Sequence, residues 1–250
     1  MLRRVKPIIR CVIFDLDDTL YDCLGQRVRL THRYAAQAMV KAGLKADTET
    51  VYRARMRAFR QDPMLRHIDA EVTRHFNAED PDAISRVARE AYFNCPVGKL
   101  SLFPGSLPLL RFLARRSVRN FIVSFGEPKI QRAKVKALEL DREPSIEKIF
   151  YADRGNVLTK EAAFRKIHKR TGVPPSEILV VGDRPAREIR AGRELGMPTV
   201  RLRQGEFKSQ MPAGPEEEPD YNIGNISEVR NLPFIWGSSV ANKTEPSKPR

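Results

Sequence analysis

The sequence predicts an α/β protein: a Rossmann-like parallel sheet core with helices on both faces, plus a smaller four-helix cap domain. From about residue 100 onward, short apolar runs alternate with helical segments, which is the pattern of a parallel sheet. One further apolar run, at residues 11–14, stands far ahead of the others. The stretch between them, residues 23–99, is too long for a loop and has helical periodicity of its own. A helical domain inserted after the first strand explains both features.

The composition excludes several classes of protein. Hydrophobic residues make up 41% of the 250 residues, which supports a packed core and argues against global disorder. The sequence lacks a run of about 18 apolar residues, which a transmembrane helix would need, so we expect no membrane partner. The first residues are basic, as in a signal peptide, but the apolar run after them ends at Asp15 and has no small-residue cleavage site. We therefore interpret this segment as part of the mature protein. Cys11, Cys23 and Cys95 are too scattered for a disulfide framework or a zinc site, which favours the reducing cytoplasm.

The chain is strongly basic, with 45 lysine and arginine residues against 31 acids and a net charge of +14. Such a charge raises the question of nucleic acid. The basic residues are spread over the whole length, however, without a basic tract or an aromatic stacking motif. Attraction of small anionic molecules explains the charge as well, and nucleic acid is not the expected partner.

The first predicted strand ends in a group of acids. Residues 11–14 are β-branched or apolar, as in a buried parallel strand, and Asp15, Asp17, Asp18 and Thr19 follow at once. Neighbouring carboxylates repel one another unless a cation lies among them, so we expect a hard divalent ion, most plausibly Mg²⁺. The alternative is that Asp and Thr only form the turn after the strand.

The inserted segment contains four stretches with helical spacing. Two of them open with Asp-Pro, at residues 62–63 and 80–81, which suits an N-cap followed by the first helical position. We therefore predict a helical domain over 23–99 and an α/β core formed by 1–22 and 100–236. The positions that carry the helical pattern are Leu30, Tyr34 and Ala38; Tyr52, Met56 and Phe59; Leu65, Ile68, Val72 and Phe76; and Ile84, Val87 and Ala91.

The remaining strands bring further polar residues to the same edge of the sheet. Strands are predicted at residues 120–124, 148–152, 178–182 and 199–202. Helices are predicted through residues 109–113 after a turn at 103–105, over about 128–138, from about 160 to Gly172, and up to 195. Ligands of such sheets bind beyond the carboxyl ends of the strands, where Asp15, Asp17, Ser124 and Asp183 all lie. Residues 237–250 have the composition of a disordered tail.

These residues suit phosphoryl transfer. Asp15 could attack phosphorus to give an aspartyl-phosphate, and Asp17, held by Thr19, could exchange protons with the leaving oxygen and with water. Ser124 offers a hydroxyl to the phosphoryl oxygens, and a lysine would offset their charge. Asp183 would complete the cation site with Asp15.

The ordered motifs resemble the haloacid dehalogenase-like superfamily. They are Asp15-Leu-Asp17-Asp18-Thr19, Ser124 after an apolar strand, a downstream lysine, and Val181-Gly182-Asp183. The resemblance implies an Mg²⁺-dependent phosphohydrolase with a helical cap. By it, Asp15 is the nucleophile, Asp17 is the general acid/base whose backbone carbonyl binds the metal, and Ser124 and a lysine hold the phosphoryl group.

Two positions depart from the family pattern. In many members the lysine begins a Lys-Pro pair, and that register falls on Leu158. A second register, seen in phosphoserine phosphatases, places the lysine about 23 residues before the last aspartate, which Lys160 satisfies (183 − 160 = 23). We therefore predict Lys160 as the phosphate-binding lysine and Lys134 as a surface residue. The other departure is Glu188, where the family usually has aspartate.

Glu188 has two readings of similar weight. It could reach a metal-bound water, or it could be a glutamate on a helix face, paired with Arg184 one turn back. Gly126, two residues after Ser124, is assigned a supporting role in the same loop.

The expected function is hydrolysis of a small phosphorylated metabolite. Dehalogenation is disfavoured because that chemistry in the family lacks the second acid, and Asp17 is present. A phosphomutase on the same fold remains an alternative, because motifs do not fix the reaction. A catalytically weak nucleic-acid- or protein-binding member, motivated by the charge and by Leu158, is the alternative outside enzymes. The sequence carries no signal for oligomeric state.

Overall fold

The computed structural model describes residues 7–61, 67–153 and 158–237. The chain divides into two compact units, Asp22–Ser101 and the remainder, which we call the helical unit and the α/β unit. The assignment of the helical unit as a cap stays a prediction. The predicted tail, apart from Gly237, and the predicted Asp62-Pro63 helix start lie outside the described residues.

The α/β unit is built on a parallel sheet. Six of its strands follow the order β4-β3-β2-β5-β6-β7, with every neighbouring pair parallel, and β1 pairs with β8 in a separate parallel ladder. The α/β prediction is confirmed. The strands are β1 (Ile8–Ile9), β2 (Cys11–Phe14), β3 (Arg119–Phe125), β4 (Lys148–Ala152), β5 (Ile178–Gly182), β6 (Thr199–Leu202), β7 (Tyr221–Ile223) and β8 (Ile235–Trp236).

The central position of β2 follows from its composition. All four of its side chains are buried, as expected for a strand with neighbours on both sides and helices on both faces. Phe14 lies opposite Ile122 of β3 and Val181 of β5. The Asp15 amide continues the ladder by donating to the Val181 carbonyl at 2.9 Å. This register brings the residues after β2 and β5 side by side.

Helices cover both faces of this sheet. Thr159 caps α7 by accepting a hydrogen bond from the Ala162 amide at 3.1 Å, and Gly172, in a left-handed conformation, ends it. The predicted helix after β5 begins instead as a π-helical turn at Pro185–Ile189. The α-helices among the described residues of both units are α1 (Arg29–Lys41), α2 (Thr48–Gln61), α3 (Ile68–His75), α4 (Pro81–Asn94), α5 (Ser106–Ala114), α6 (Pro128–Ala137), α7 (Lys160–Thr171) and α8 (Arg190–Glu194).

The helical unit has its own apolar core. A π-helical segment, Leu24–Val28, leads into α1, and α1 to α4 pack around residues that include Ala35, Met39, Val51 and Ile84. Asp80 accepts a hydrogen bond from the Ala83 amide ahead of Pro81, as the sequence predicted for the start of α4. Phe76, predicted inside the third helix, is the residue that ends it.

Two observations concern the described chain as a whole. No helix within the described part of the chain is long and apolar enough to cross a membrane. Cys11, Cys23 and Cys95 are all buried and form no disulfide.

Candidate active site

Three strands deliver the site residues to one edge of the sheet. Asp15 directly follows β2, Asp183 directly follows β5, and Ser124 is the last residue but one of β3. Because these three strands are adjacent and parallel, their carboxyl ends meet at the same edge. The buried apolar strands thus hold polar side chains where water is largely excluded.

Asp15 lies in a buried pair with Lys160. The Lys160 ammonium, at the start of α7, donates to the Asp15 carboxylate and also to the Glu188 carboxylate. Burial raises the pKa of Asp15, the Lys160 charge lowers it, and the nearby Glu188 and Asp17 charges raise it again, to about 6. Asp15 is therefore largely ionised at neutral pH, as a nucleophile requires.

Asp17 has different partners. The Lys134 ammonium donates to both of its oxygens, at 2.9 and 2.8 Å, and Tyr21 donates its hydroxyl at 2.8 Å. Gln131 donates its amide nitrogen at 3.0 Å. Burial works against ionisation, but the Lys134 charge and these hydrogen bonds outweigh it and lower the pKa of Asp17 to about 2.

Two predictions about Asp17 are wrong. Lys134 is not a surface residue, because only 6% of it is exposed and it pairs with Asp17. Thr19 does not hold Asp17 either, since its buried hydroxyl finds no hydrogen-bond partner within the described chain. The backbone turns sharply at Asp18, which has a φ of +55°, and brings Tyr21 rather than Thr19 back to Asp17.

Ser124 is joined to Asp17 by one side chain. The Gln131 amide nitrogen donates to the buried Ser124 hydroxyl at 2.6 Å and to the Phe125 carbonyl at 2.9 Å, as well as to Asp17. Gly126, with a φ of +150°, lies against Gln131, where an added Cβ would come within 3.2 Å of its side chain. The supporting position of Gly126 therefore leaves room for Gln131.

Asp183 is a buried carboxylate without hydrogen bonds. Neither of its oxygens has a partner among the residues that the structure describes. Burial raises its pKa well above the usual range, the Glu188 charge adds to this rise, Arg184 opposes it, and Asp15 adds to it again. A carboxylate in this environment is favourable only when a positive charge joins it.

The donor set fits a small hard cation. Mg²⁺ uses one or two carboxylates and keeps several waters, and Asp15 and Asp183 supply two such groups from adjacent strands. The Asp17 side chain is engaged by Lys134, so its backbone carbonyl, the donor that the family resemblance implies, is the remaining candidate. No group of three or more His, Cys, Asp or Glu within the described ranges could hold a metal without water.

Glu188 is buried rather than exposed on a helix face, and its role beside a metal-bound water stays a prediction. It is buried, pairs with Lys160, and accepts a hydrogen bond from the Arg184 amide at 3.2 Å. Its side chain packs so closely on Gly182 that a Cβ there would lie 2.5 Å from the Glu188 Cγ. Glycine at 182 is thus required by this contact.

A second charged group lies in the loop after β6. The Arg184 guanidinium stacks on the Phe207 ring at 3.7 Å and approaches Glu206 at 3.9 Å. The Glu206 amide donates to Asp18 at 3.2 Å. Burial raises the pKa of Glu206 to about 7, although the Arg184 charge lowers it. This loop therefore adds an acid that titrates near neutral pH.

Comparison with known proteins identifies the family. The model of haloacid dehalogenase-like hydrolases matches residues 9–196. The chain belongs to this family. A curated relative, the glyceraldehyde 3-phosphate phosphatase of Methanopyrus kandleri, is 29% identical over 90% of this chain and 97% of its own. The predicted resemblance is confirmed, and the protein is a hydrolase of the haloacid dehalogenase-like type.

Solved structures confirm the fold of this hydrolase. A putative β-phosphoglucomutase from Thermotoga maritima superposes with a TM-score of 0.65 at 16% identity, covering 90% of this chain and 98% of that one. A putative HAD-hydrolase from Bacillus subtilis, bound to magnesium, superposes with a TM-score of 0.61 at 19% identity, covering 91% and 100%.

Sequence reasoning missed four contributors to the site of this hydrolase: Tyr21, Gln131, Lys134 and Glu206. For the two residues on α6, the sequence did indicate burial. Gln131, Lys134, Val135 and Leu138 fall on one helical face, and the apolar members mark that face as buried. Glu206 stands in a loop without periodicity, where nothing in the sequence separates it from a solvated acid.

Proposed function

We propose that this hydrolase is an Mg²⁺-dependent phosphatase that acts on a small phosphomonoester through an aspartyl-phosphate on Asp15. The observation that carries the proposal is the pair of aspartates held by different lysines, Asp15 by Lys160 and Asp17 by Lys134. Asp183 follows the neighbouring strand and has no hydrogen-bond partner among the described residues. The name of the Methanopyrus relative supports a small phosphorylated aldehyde or sugar as the substrate class. The three buried thiols agree with a reducing cytoplasmic location.

The first half of the reaction uses Asp15 as nucleophile. Its carboxylate oxygen forms a bond to phosphorus while the ester P–O bond breaks, and the leaving oxygen takes a proton from Asp17. Asp17 is ionised in the substrate-free site, with a pKa of about 2, so it must first gain the proton that it donates. The negative charge of the incoming phosphate raises its proton affinity, and Asp17 takes the proton from solvent or from the monoanionic ester as the substrate binds. The Ser124 hydroxyl and the Lys160 ammonium bind the phosphoryl oxygens as negative charge spreads over them.

The second half regenerates the enzyme. Asp17, again a carboxylate, takes a proton from water, whose oxygen attacks phosphorus. The bond between Asp15 and phosphorus breaks, and inorganic phosphate and the free Asp15 carboxylate result. Asp15, Asp183 and the Asp17 carbonyl would hold Mg²⁺, which when bound supplies positive charge that orients the phosphate and lowers its repulsion with the carboxylates.

Turnover assays test this proposal. We expect hydrolysis of p-nitrophenyl phosphate and glyceraldehyde 3-phosphate that stops on addition of EDTA and returns with Mg²⁺. Rapid acid quenching followed by mass spectrometry should find a phosphate on the peptide that carries Asp15. Asp15→Asn should abolish both turnover and the adduct, whereas Lys136→Met, a change on the exposed face of α6, should alter neither.

The alternatives give different results in the same assays. A phosphomutase would release little inorganic phosphate and would transfer the label between positions of its substrate. A binding protein would show no turnover, but would retain DNA or RNA in a salt-sensitive manner. Either pattern would contradict the proposal.

A further inference from the structure

Helix α6 supplies two side chains to Asp17. Gln131 and Lys134, one helical turn apart, both lie on its buried face. Lys134 contacts both carboxylate oxygens, at 2.9 and 2.8 Å, and Gln131 contacts one of them at 3.0 Å. These contacts restrain the rotation of the Asp17 carboxylate about its side-chain bonds.

This arrangement is a poor way to stabilise a fold. Only 8% of the Lys134 side chain is exposed, so its ammonium has lost most of its contact with water. The attraction within a buried ion pair often does no more than offset the free-energy cost of this desolvation. An apolar residue beside Val135 would pack on the same face without that penalty. The lysine therefore indicates a requirement of the site rather than of the core.

Gln131 extends the restraint to the phosphate-binding residue. Its amide nitrogen carries two hydrogens but faces three acceptors: Asp17, the Ser124 hydroxyl at 2.6 Å and the Phe125 carbonyl at 2.9 Å. One hydrogen is therefore shared. A single side chain thus fixes the spacing between the predicted acid/base and the hydroxyl at the end of β3.

We propose that Lys134 and Gln131 are positioning residues of this hydrolase, which hold the Asp17 carboxylate at a fixed distance from Ser124 so that it meets the leaving oxygen of the bound ester. The inference rests on the proposed phosphatase function. Neither residue needs to touch the substrate, so both should act on the rate of ester cleavage through Asp17 and leave substrate binding unchanged.

The choice of leaving group tests the inference. The kcat/KM ratio reports the steps from free enzyme up to phosphorylation of Asp15. Two esters that differ only in how their leaving group departs can therefore be compared through this ratio. An alkyl phosphate such as glyceraldehyde 3-phosphate needs a proton on its leaving oxygen, whereas p-nitrophenolate departs without one. In Lys134→Met and Gln131→Leu we expect kcat/KM to fall about 100-fold for the alkyl ester but less than about 10-fold for p-nitrophenyl phosphate.

Three comparisons separate positioning from a structural effect. Lys136→Met, on the exposed face of the same helix, should match the wild type with both esters. Lys134→Arg, which keeps the charge, should recover part of the alkyl-ester activity. In an Asp17→Asn background the further change Lys134→Met should cost almost nothing, because residues that act as one unit are not additive.

The outcomes decide separately on the function and on the inference. Absence of turnover by the wild-type enzyme with either ester would overturn the proposed function itself. Given wild-type turnover, equal losses with the two esters, or a full additional loss in the Asp17→Asn background, would overturn the positioning role. If thermal unfolding shows that Lys134→Met does not fold, Gln131→Leu decides by the same ratio of the two esters.

Discussion

Two aspartates only two positions apart have clearly different pKa values. Asp15 and Lys160 are both buried, and the balance of burial and charge gives Asp15 a pKa of about 6. Asp17 receives Lys134, Gln131 and a hydroxyl, and its pKa is about 2. Pairs of carboxyl groups whose surroundings separate their pKa values are typical of sites that divide nucleophilic and acid/base roles. Here burial dominates the pKa of Asp15, whereas the charge of Lys134 and the hydrogen bonds outweigh burial at Asp17.

Asp183 gives a prediction about stability and function together. Its buried carboxylate has no hydrogen-bond partner among the described residues, and burial raises its pKa, so ionising it in the folded state without a cation opposes folding. Asp183→Asn removes that charge at nearly constant volume. We expect the variant without Mg²⁺ to be more stable than the wild type, with a higher Tm, because the amide needs no compensating positive charge.

Thermal unfolding with and without Mg²⁺ measures both effects. Mg²⁺ should raise the Tm of the wild type, because it binds only the folded state, and should leave the Tm of the variant unchanged. Turnover should be lost in the variant. A less stable variant that keeps its response to Mg²⁺ would contradict this account of Asp183.

At the scale of elements, each lysine of the site is carried by a helix that follows a strand of the sheet. Lys160 is the first residue of α7, fixed by the Thr159 cap, and Lys134 lies in the middle of α6. Because α6 and α7 pack on the sheet, their buried faces reach the edge where β2 ends. The ends of strands and the faces of helices together therefore determine the site.

Helix α1 of the helical unit contains a pH-sensitive residue. His32 is fully buried, neither ring nitrogen has a hydrogen-bond partner in the described residues, and its ring packs against Phe59 and Tyr92. Burial first, and then the charge of Arg55, lower its pKa to about 3. Arg55 itself pairs with Asp69. Protonating His32 in place would bring two positive charges together in an apolar core.

The sign of the resulting pH dependence follows from linkage. The unfolded chain binds a proton at His32 below about pH 6.5, whereas the folded chain does so only near pH 3, so stability falls as the pH decreases between these values. At pH 4.5 the cost of this residue is about 3 kcal/mol, from two pKa units at about 1.4 kcal/mol each.

Urea unfolding of the wild type and His32→Phe measures this cost. The difference in the free energy of unfolding between the two should shift by about 3 kcal/mol in favour of the variant between pH 7.5 and pH 4.5. Protonation of the carboxylates lowers the free energy of unfolding of both proteins equally in acid, so this contribution cancels in the difference. An unchanged difference would show that His32 is protonated in the folded state.

At the scale of the whole molecule, the net charge of +14 has no single location. Basic side chains instead pair with acids over much of the surface, as Arg111 does with Glu143 and Arg119 with Glu147. Exposed pairs of this kind contribute little to stability. The excess positive charge has a long-range effect, because it attracts anionic ligands from solution.

Salt should therefore weaken the capture of an anionic ester. Raising the ionic strength from about 0.02 to 0.3 M shortens the screening length from more than 20 Å to less than 10 Å. We expect kcat/KM for p-nitrophenyl phosphate to fall several-fold, chiefly through KM. A neutral viscogen, which slows diffusion without screening charge, serves as the control. A kcat/KM that is independent of salt would assign the positive charge no part in substrate capture.

The sequence was most informative where local pattern and burial agree. Strands 148–152, 178–182 and 199–202 and the start of α4 have their predicted bounds, because β-branched runs and an Asp-Pro cap act over a few residues. It was least informative about partners of buried polar groups. Lys134 was placed on the surface although the spacing of α6 marks its face as buried, and the spacing does not show that this face meets Asp17. Thr19 was given a bond to Asp17 because the turn at Asp18 cannot be predicted from spacing.

The sequence by itself determined the class of fold, the strands that carry the acids and the gathering of Asp15, Asp17, Ser124 and Asp183 at one edge. These follow from periodicity and from the rule that parallel strands share their carboxyl ends. Only the tertiary structure decided which lysine meets which aspartate, and that Asp183 accepts no hydrogen bond from any residue that the structure describes. Such pairings join residues more than a hundred positions apart, and they depend on helix packing that no local pattern encodes.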